Sequence, residues 1–401
     1  MRVGGELGGE AEADVPHDPA PVLGDPVVPG PGALAEEGVV RRARRRGDGV
    51  QGGPGLAVEE GQLPLVVGTG DAYGRLGHVG HCTAGPGRGG REFPAVGGRM
   101  VAMERSRIAV AGASGLIGGA LARSLTSDGH EVVRLVRRAP RAGEVRWDPE
   151  RRSVDAAGLA GCDAVVNLAG AGVGSRRWTD EYKARIRSSR VDGTAALAEA
   201  LAGLPEDVRP RVFVNGSAIG YYGETGDRSV DESAPPGEGF LPEVCVAWEA
   251  AADPAREAGV RTVFARTGLV VARGGGAWGR LFPLFRAGLG GRMGDGRQYW
   301  SFVALHDEVA ALRHLLDTDG LSGPFNLTAP HPVTNREVTE AMSRVLRRPA
   351  VFPVPAPVLR TVLGEMAGDV LGSARVLPAR LQESGFRFAF PRIEGAIRAA
   401  L

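Results

Sequence analysis

From Ile108 onward the sequence alternates short apolar runs with helical patterns, and few folds accept that alternation. "RIAVAGA", "HEVVRLVRR", "DAVVNLAGA", "RVFVNGSA" and "RTVFARTG" read as strands. Between them, "GGALARSLTSDG", "EYKARIRSSRVDGTAALAEALAG" and "WEAAADPAREAG" read as helices. Strands apolar along their whole length need cover on both faces, and helical crossovers provide it. The expected fold class is α/β: a Rossmann-type doubly wound parallel sheet, with a small C-terminal α+β segment capping the pocket. That segment begins after "GPFNLTAPHPVTNREVTEAMSRVL", a last core strand and a helix. A proline-rich crossing and a helix follow in "RRPAVFPVPAPVLRTVLGEMA", then a strand-like stretch and a final helix in "GFRFAFPRIEGAIRAAL".

Residues 1–102 stand outside the pattern. Dense in Gly and Pro, as in "DPAPVLGDPVVPGPGALAEEG", they carry little apolar periodicity to offset the entropy of ordering. They are expected to be disordered, or to be a mis-assigned upstream start, since Met103 sits just before the first good strand. The basic run from Arg41 to Arg46 reads as solvated.

Composition narrows the partners. Lys and Arg total 48 against 47 Asp and Glu, so no net field favours nucleic acid or an anionic membrane. No stretch resembles a signal peptide or spans a bilayer. Cys82, Cys162 and Cys245 are odd in number and widely spaced, which suits a reducing cytoplasm better than a disulfide framework. The seven histidines lack the i, i+4 pairing with glutamate of a metal helix, so no metal is expected. Oligomeric state is not legible; a homodimer is one state open to the chain.

The first strand ends in a glycine turn. In "GASGLIG", Gly112 turns the chain sharply, Gly115 lets backbone approach a pyrophosphate, and Gly118 lets helix pack on sheet. With Ser114, Leu116 and Ile117, these residues would offer unpaired N–H groups and the positive end of a helix dipole to phosphate. The spacing alone is weak evidence; the preceding strand and following helix make it specific. About 20 residues on, where an acid would bind a ribose 2′-hydroxyl, stand Arg137 and Arg138. Guanidinium groups there suit a 2′-phosphate, so NADP(H) is expected, with NAD(H) the alternative should both arginines merely be solvated.

"DAVVNLAGAGVG" together with "GASGLIG" resembles the extended short-chain dehydrogenase/reductase superfamily of the NAD-dependent epimerase/dehydratase type. "SRVDGTAAL", "RTGLVVARGGGA" and "GDGRQYWSFVALHDEVAAL" agree with it in order. "RWDP", "SAIGYYGETGD", "CVAWEAAA" and "VLGEMAGDVLGSARVLPARLQESGFRFAFP" are similar to one subgroup, known as epimerase-family or loosely cell-division-inhibitor proteins, which ends in a small domain of unknown function. The resemblance spans residues 105–401. It implies an NAD(P)-binding Rossmann domain at 103–335 and a C-terminal capping domain at 336–401. It also implies that Asn167, Leu168, Ala169 and Gly170 lie beside the adenine ribose and nicotinamide, and that Ser217 matches an active-site serine.

One departure matters. The superfamily's usual catalyst is a Tyr-x-x-x-Lys pair, whose lysine lowers the tyrosine pKa from about 10 toward neutrality. Here the positions of that pair carry Val244 and Trp248, and the sole lysine, Lys183, follows Tyr182 upstream of Ser217. Ser217 is expected to polarise a substrate oxygen, or else to form a turn. Tyr221 and Tyr222 are candidate phenolic donors; with no nearby cation either would stay protonated, which suits carbonyl reduction better than alcohol oxidation. Aromatic packing is the alternative for both tyrosines. Glu243 and Glu249 do not share a helix face and suggest no carboxylate pair, and Cys245 is unassigned. Trp248 closes the pocket or packs in the core; Arg266 holds an acidic substrate group or caps a strand. His306 and Asp307 read as a helix start rather than a triad with Ser217. The expected activity is an NADP(H)-dependent oxidoreductase or epimerase acting on a small carbonyl or alcohol. The rivals are a non-catalytic NADP(H) sensor and, with least support, an interaction scaffold.

Overall fold

A computed structural model describes residues 105–401. The extension at 1–102, its basic run, Cys82 and Met103 lie outside the described residues. Strand β1 (Arg107–Ala111), helix α1 (Leu116–Ser127) and strand β2 (Glu131–Val136) make the first crossover; β3 (Glu144–Asp148) and β4 (Ser153–Val154) follow. Next come β5 (Ala164–Asn167), α2 (Asp180–Gly203), β6 (Val212–Ala218), β7 (Ser229–Val230), α3 (Phe240–Ala250), α4 (Asp253–Glu257) and β8 (Arg261–Thr267). Then β9 (Leu269–Val271), α5 (Gly276–Arg286), β10 (Tyr299–Trp300), β11 (Phe302–Ala304) and α6 (Leu305–Asp317) lead to β12 (Gly323–Leu327). The chain ends with β13 (Val333–Thr334), α7 (Asn335–Leu346), α8 (Ala356–Leu363), α9 (Ala367–Leu371), β14 (Arg375–Val376), α10 (Ala379–Glu383) and α11 (Ile393–Ala399).

The central sheet has the order β12-β8-β6-β5-β1-β2-β3-β4, and only its β3–β4 edge pair is antiparallel. Side chains alternate between two cores. Ile108, Val110, Val166, Val214 and Ala265 pack on Leu121 and Leu125 of α1 and on Leu312 and Leu315 of α6. Ala109, Ala111, Val165, Phe213 and Phe264 face the other way, onto Leu197 and Leu201 of α2 and Ala255 of α4. This is the doubly wound arrangement expected from the continuous apolar runs. Strand order reverses between β1 and β5, so their carboxyl ends border the crevice where such sheets bind ligands.

Three local readings need correction. The sequence pattern assigns no strand to "EVRWD", yet β3 joins the sheet, with Val145 and Trp147 buried against the α2 side. "WEAAADPAREAG" is two helices: α3 ends at Ala250, and Pro254, which has no N–H to give, sits in the first turn of α4. The strand-like stretch "GFRFAF" pairs with no strand among the described residues. Its amides at Ala389 and Phe390 instead donate to the Asp307 carboxylate, at 3.0 and 2.8 Å.

Candidate active site

The turn after β1 is shaped by positions where no side chain fits. Gly112 has φ +79°, and a β-carbon there would come within 2.7 Å of the Leu168 carbonyl carbon and oxygen. A β-carbon on Gly118 would meet the Gly112 carbonyl at 2.3 Å. The Gly115 amide donates to Gly112 O at 2.9 Å and closes the turn, leaving Gly115 at the N-cap of α1 with no side chain capping it. The first-turn amides of α1 therefore face outward with the positive end of the helix dipole. A cleft of about 370 Å³ opens onto this turn and runs past Leu168, Ala218, Thr267 and Gly268 to Trp278. Ser114 is exposed on the turn, while Leu116 and Ile117 line the cleft. Such a cradle of bare backbone beside a helix N-terminus fits a dinucleotide diphosphate.

Opposite the turn, Asn167 is a tie rather than a free amide. Its Nδ2 donates to Thr194 Oγ1 (3.0 Å) and Asn215 Oδ1 (2.8 Å), and its Oδ1 accepts from Ala169 N. Trp248 Nε1 donates to the same Thr194 oxygen at 2.9 Å. The indole is thus locked into the core side of α3, and Leu168, Ala169 and Gly170 are held in place against the glycine turn. Arg137 and Arg138 are exposed beyond β2, and Arg138 grips Glu144 through two hydrogen bonds of 2.6 and 2.7 Å.

A buried network lies at the ends of β6 and β8. Ser217 Oγ donates to Glu249 Oε1 at 2.6 Å, and Arg266 clamps both oxygens of that carboxylate through Nε and Nη2 at 2.8 Å. Arg266 Nη1 donates to Tyr222 Oη (2.9 Å), which in turn donates to Asn326 Oδ1 (2.8 Å). A serine has one proton to give and Glu249 receives it, so the hydroxyl is turned from the cleft, where Ala218 stands instead. A cation does lie beside the tyrosines, contrary to the expectation that none would. Burial still dominates and pushes the Tyr222 phenol up to about 12, because the guanidinium charge is already paired. Tyr221 is different. Its ring lies flat against the Arg266 guanidinium, 3.4 Å from ring centroid to Cζ, and it is half-buried. Its hydroxyl has no hydrogen-bond partner among the described residues.

Other candidates fall away from the site. Glu243 is exposed while Glu249 is buried, in line with their different helix faces. Burial pushes the Cys245 thiol up to about 12, which leaves it inert. Lys183 bridges Glu365 and Asp180, fastening the C-terminal segment to α2. Asp307 anchors the chain at Ala389 and Phe390, with His306 beside it at 3.1 Å.

A family model described as "NAD dependent epimerase/dehydratase family" matches residues 108–328, and a "Domain of unknown function (DUF1731)" model matches 354–400. The chain belongs to the NAD dependent epimerase/dehydratase family. Its fold is therefore the NAD(P)-binding Rossmann fold of that family, followed by the family's small C-terminal domain. Among its relatives is the epimerase family protein ML0860 of Mycobacterium leprae, 44% identical over 75% of this chain and 97% of that protein. Epimerase family protein SDR39U1 of Homo sapiens is 35% identical, over 73% of this chain and 98% of that protein. A crystal structure of the human protein with NADPH superposes with a TM-score of 0.67 at 34% identity, covering 73% of this chain and 98% of that one.

Within the family's frame, the Glu249–Arg266 pair is what sequence reasoning missed. An acid inside "VCVAWEAAA" and an arginine inside "TVFARTG" each interrupt an apolar run, and two such interruptions of opposite sign were the available signal. No helix among the described residues is long and apolar enough to cross a membrane.

Proposed function

We propose that this protein binds NADP(H) across the carboxyl ends of β1, β5 and β6 and reduces the carbonyl of a small molecule. The observation that carries the cofactor reading is the Gly112–Gly118 turn, where side chains are sterically excluded and uncapped amides face a cleft of about 370 Å³. Backbone amides of Ser114 to Gly118 would bind the diphosphate, with Leu116 and Ile117 walling the seat. Arg137, with Arg138 held beside it by Glu144, would meet the 2′-phosphate, and Asn167 to Gly170 would lie beside the adenine ribose and nicotinamide. The bound dinucleotide supplies hydride. Tyr221 Oη supplies the proton, since it is the phenol left without a partner and its ring is fixed by Arg266. Ser217 and Tyr222 hold that ring's platform through Glu249 and Arg266 rather than touch the reacting oxygen.

The buried free thiols Cys162 and Cys245 fit a reducing compartment such as the cytoplasm. A second reading is favoured by Val244 and Trp248 at the usual catalytic positions: a sensor that binds NADP(H) without turnover.

Titration with NADPH and NADH, followed by fluorescence, tests the assignment. Wild-type protein is expected to prefer NADPH, and Gly115→Glu, which puts a carboxylate at the phosphate seat, to lose about a hundredfold or more in affinity. Undiminished binding by Gly115→Glu rules the seat out. A panel of quinones, aldehydes and ketones then separates the two readings by NADPH oxidation: binding without any turnover selects the sensor.

A further inference from the structure

One strong charge beside the turn after β5 has no counterion among the described residues. Arg190, on α2, sends its Nη1 to two backbone carbonyls, Ala171 O at 2.9 Å and Ile186 O at 3.1 Å. Among the described residues no carboxylate pairs with it. The ionisable groups that bear on it most are the Cys245 thiol and the Tyr182 phenol, and that phenol donates to Gly172 O at 2.6 Å. Burial accordingly pulls the guanidinium below the usual arginine range. Its Nε and Nη2 make no hydrogen bond to a described residue, yet neither atom is sealed from solvent.

The guanidinium stands between helix α3 and the turn after β5. The guanidinium lies over the Trp248 ring, 5.0 Å from its centroid, so it stands above the position where the resemblance puts a lysine. A β-carbon on Gly170 would come within 3.2 Å of Arg190 Cζ, so the turn after β5 is bare where the cation passes. Cys245, on the same side of α3, donates its thiol to Ala218 O at 3.7 Å, and Ala218 lines the cleft. The turn after β5, helix α3 and the end of β6 therefore converge on Arg190. A partly desolvated cation with no counter-charge is costly, and it is retained where a ligand brings the anion.

We propose that Arg190 is the receptor for an oxyanion on the substrate: its Nε–Nη2 edge takes a carboxylate or phosphate monoester carried by a small carbonyl compound. The planar two-donor fork matches either group bidentately. The proposal rests on the NADP(H) reading of the cleft and adds the substrate class to it.

The test titrates wild-type protein, Arg190→Met and Arg190→Lys with 2-oxobutanoate, hydroxyacetone phosphate and, as neutral control, 2-butanone, with and without saturating NADPH. Heat and tryptophan fluorescence are the readouts, Trp248 lying directly under the guanidinium. Wild type is expected to bind one of the anionic probes at least tenfold more tightly than 2-butanone. Arg190→Met should lose about tenfold to a hundredfold for that probe alone. Arg190→Lys, which keeps the charge but not the fork, should fall between, and it carries the comparison if Arg190→Met does not fold. The better anionic probe tells carboxylate from phosphate. Equal affinity of wild type for charged and neutral probes, or unchanged anion preference in the variant that folds, overturns the proposal. NADPH titration without probes reports on the cofactor reading separately, so loss of NADPH binding with anion preference intact removes that reading and not this one.

Discussion

Glu308 sits wholly buried in the first turn of α6, with Oε1 accepting from Thr267 Oγ1 at 2.8 Å and Oε2 without a partner among the described residues. Burial raises its carboxyl from the ordinary 4.5 to about 8, so the folded protein holds a proton that the unfolded chain releases. The stabilisation from that bound proton is complete below pH 4.5 and is lost as pH rises toward 8. Wild-type stability should therefore fall across that window by up to about 1.4 kcal/mol per pH unit, and Glu308→Gln should flatten the slope. Urea unfolding at three pH values reads this directly; parallel curves for the two proteins contradict it. Tyr221→Phe tests a second side chain. It removes only the unpartnered hydroxyl, so NADPH affinity should hold while turnover of any active carbonyl falls by about a hundredfold, as for a lost general acid. Arg137 and Arg138 were visible in the sequence as a cationic pair, but the Glu144 clamp on Arg138 was not, because a residue's type says nothing of the neighbour that engages it.

The C-terminal stretch around Phe390 is irregular backbone held by one carboxylate. Asp307 accepts from two amides across 82 and 83 residues of sequence, and each is left without an acceptor if the carboxylate goes. Asp307→Ala is expected to destabilise the protein by about 2–6 kcal/mol, at roughly 1–3 kcal/mol for each of the two orphaned amides. Faster hydrogen exchange should be confined to residues 386–401; uniform loosening would point elsewhere. Helix starts carry local signals in the structure: Thr179 caps α2 by accepting from Tyr182 N, and Thr334 with Glu337 forms a capping box on α7. The start of α3 carries none, since Gly239 precedes Phe240 with no side chain to cap it, and the helical pattern is plain only from Trp248. Strand β3 was not readable, because Val145 and Trp147 are apolar for a partner that comes from α2, some 50 residues downstream.

The family's two parts share a core. Val271, Trp278, Phe302 and Val338 pack with Ile393, Ala396 and Ile397 of α11, and Leu381 and Phe386 enter the core under α6. A chain ending at Pro353 would expose the partners of Val376, Leu381, Phe386, Ile393 and Ile397. At about 1.5–3 kcal/mol for each large apolar side chain, that loss rivals the total stability of a domain, about 5–15 kcal/mol. The truncated chain is expected to show no cooperative thermal transition by circular dichroism; a sharp one would mean that residues before 354 fold alone. The strand and helix alternation and the glycine turn after β1 were legible in the residues, because periodicity and the absence of a β-carbon act within a few positions of the chain. The pairing of Ser217 with Glu249, the clamp of Arg266 and the unpaired charge of Arg190 came from folding alone: each depends on which side chains meet when α2, α3 and the ends of β6 and β8 converge, and no local rule encodes contacts across such separations.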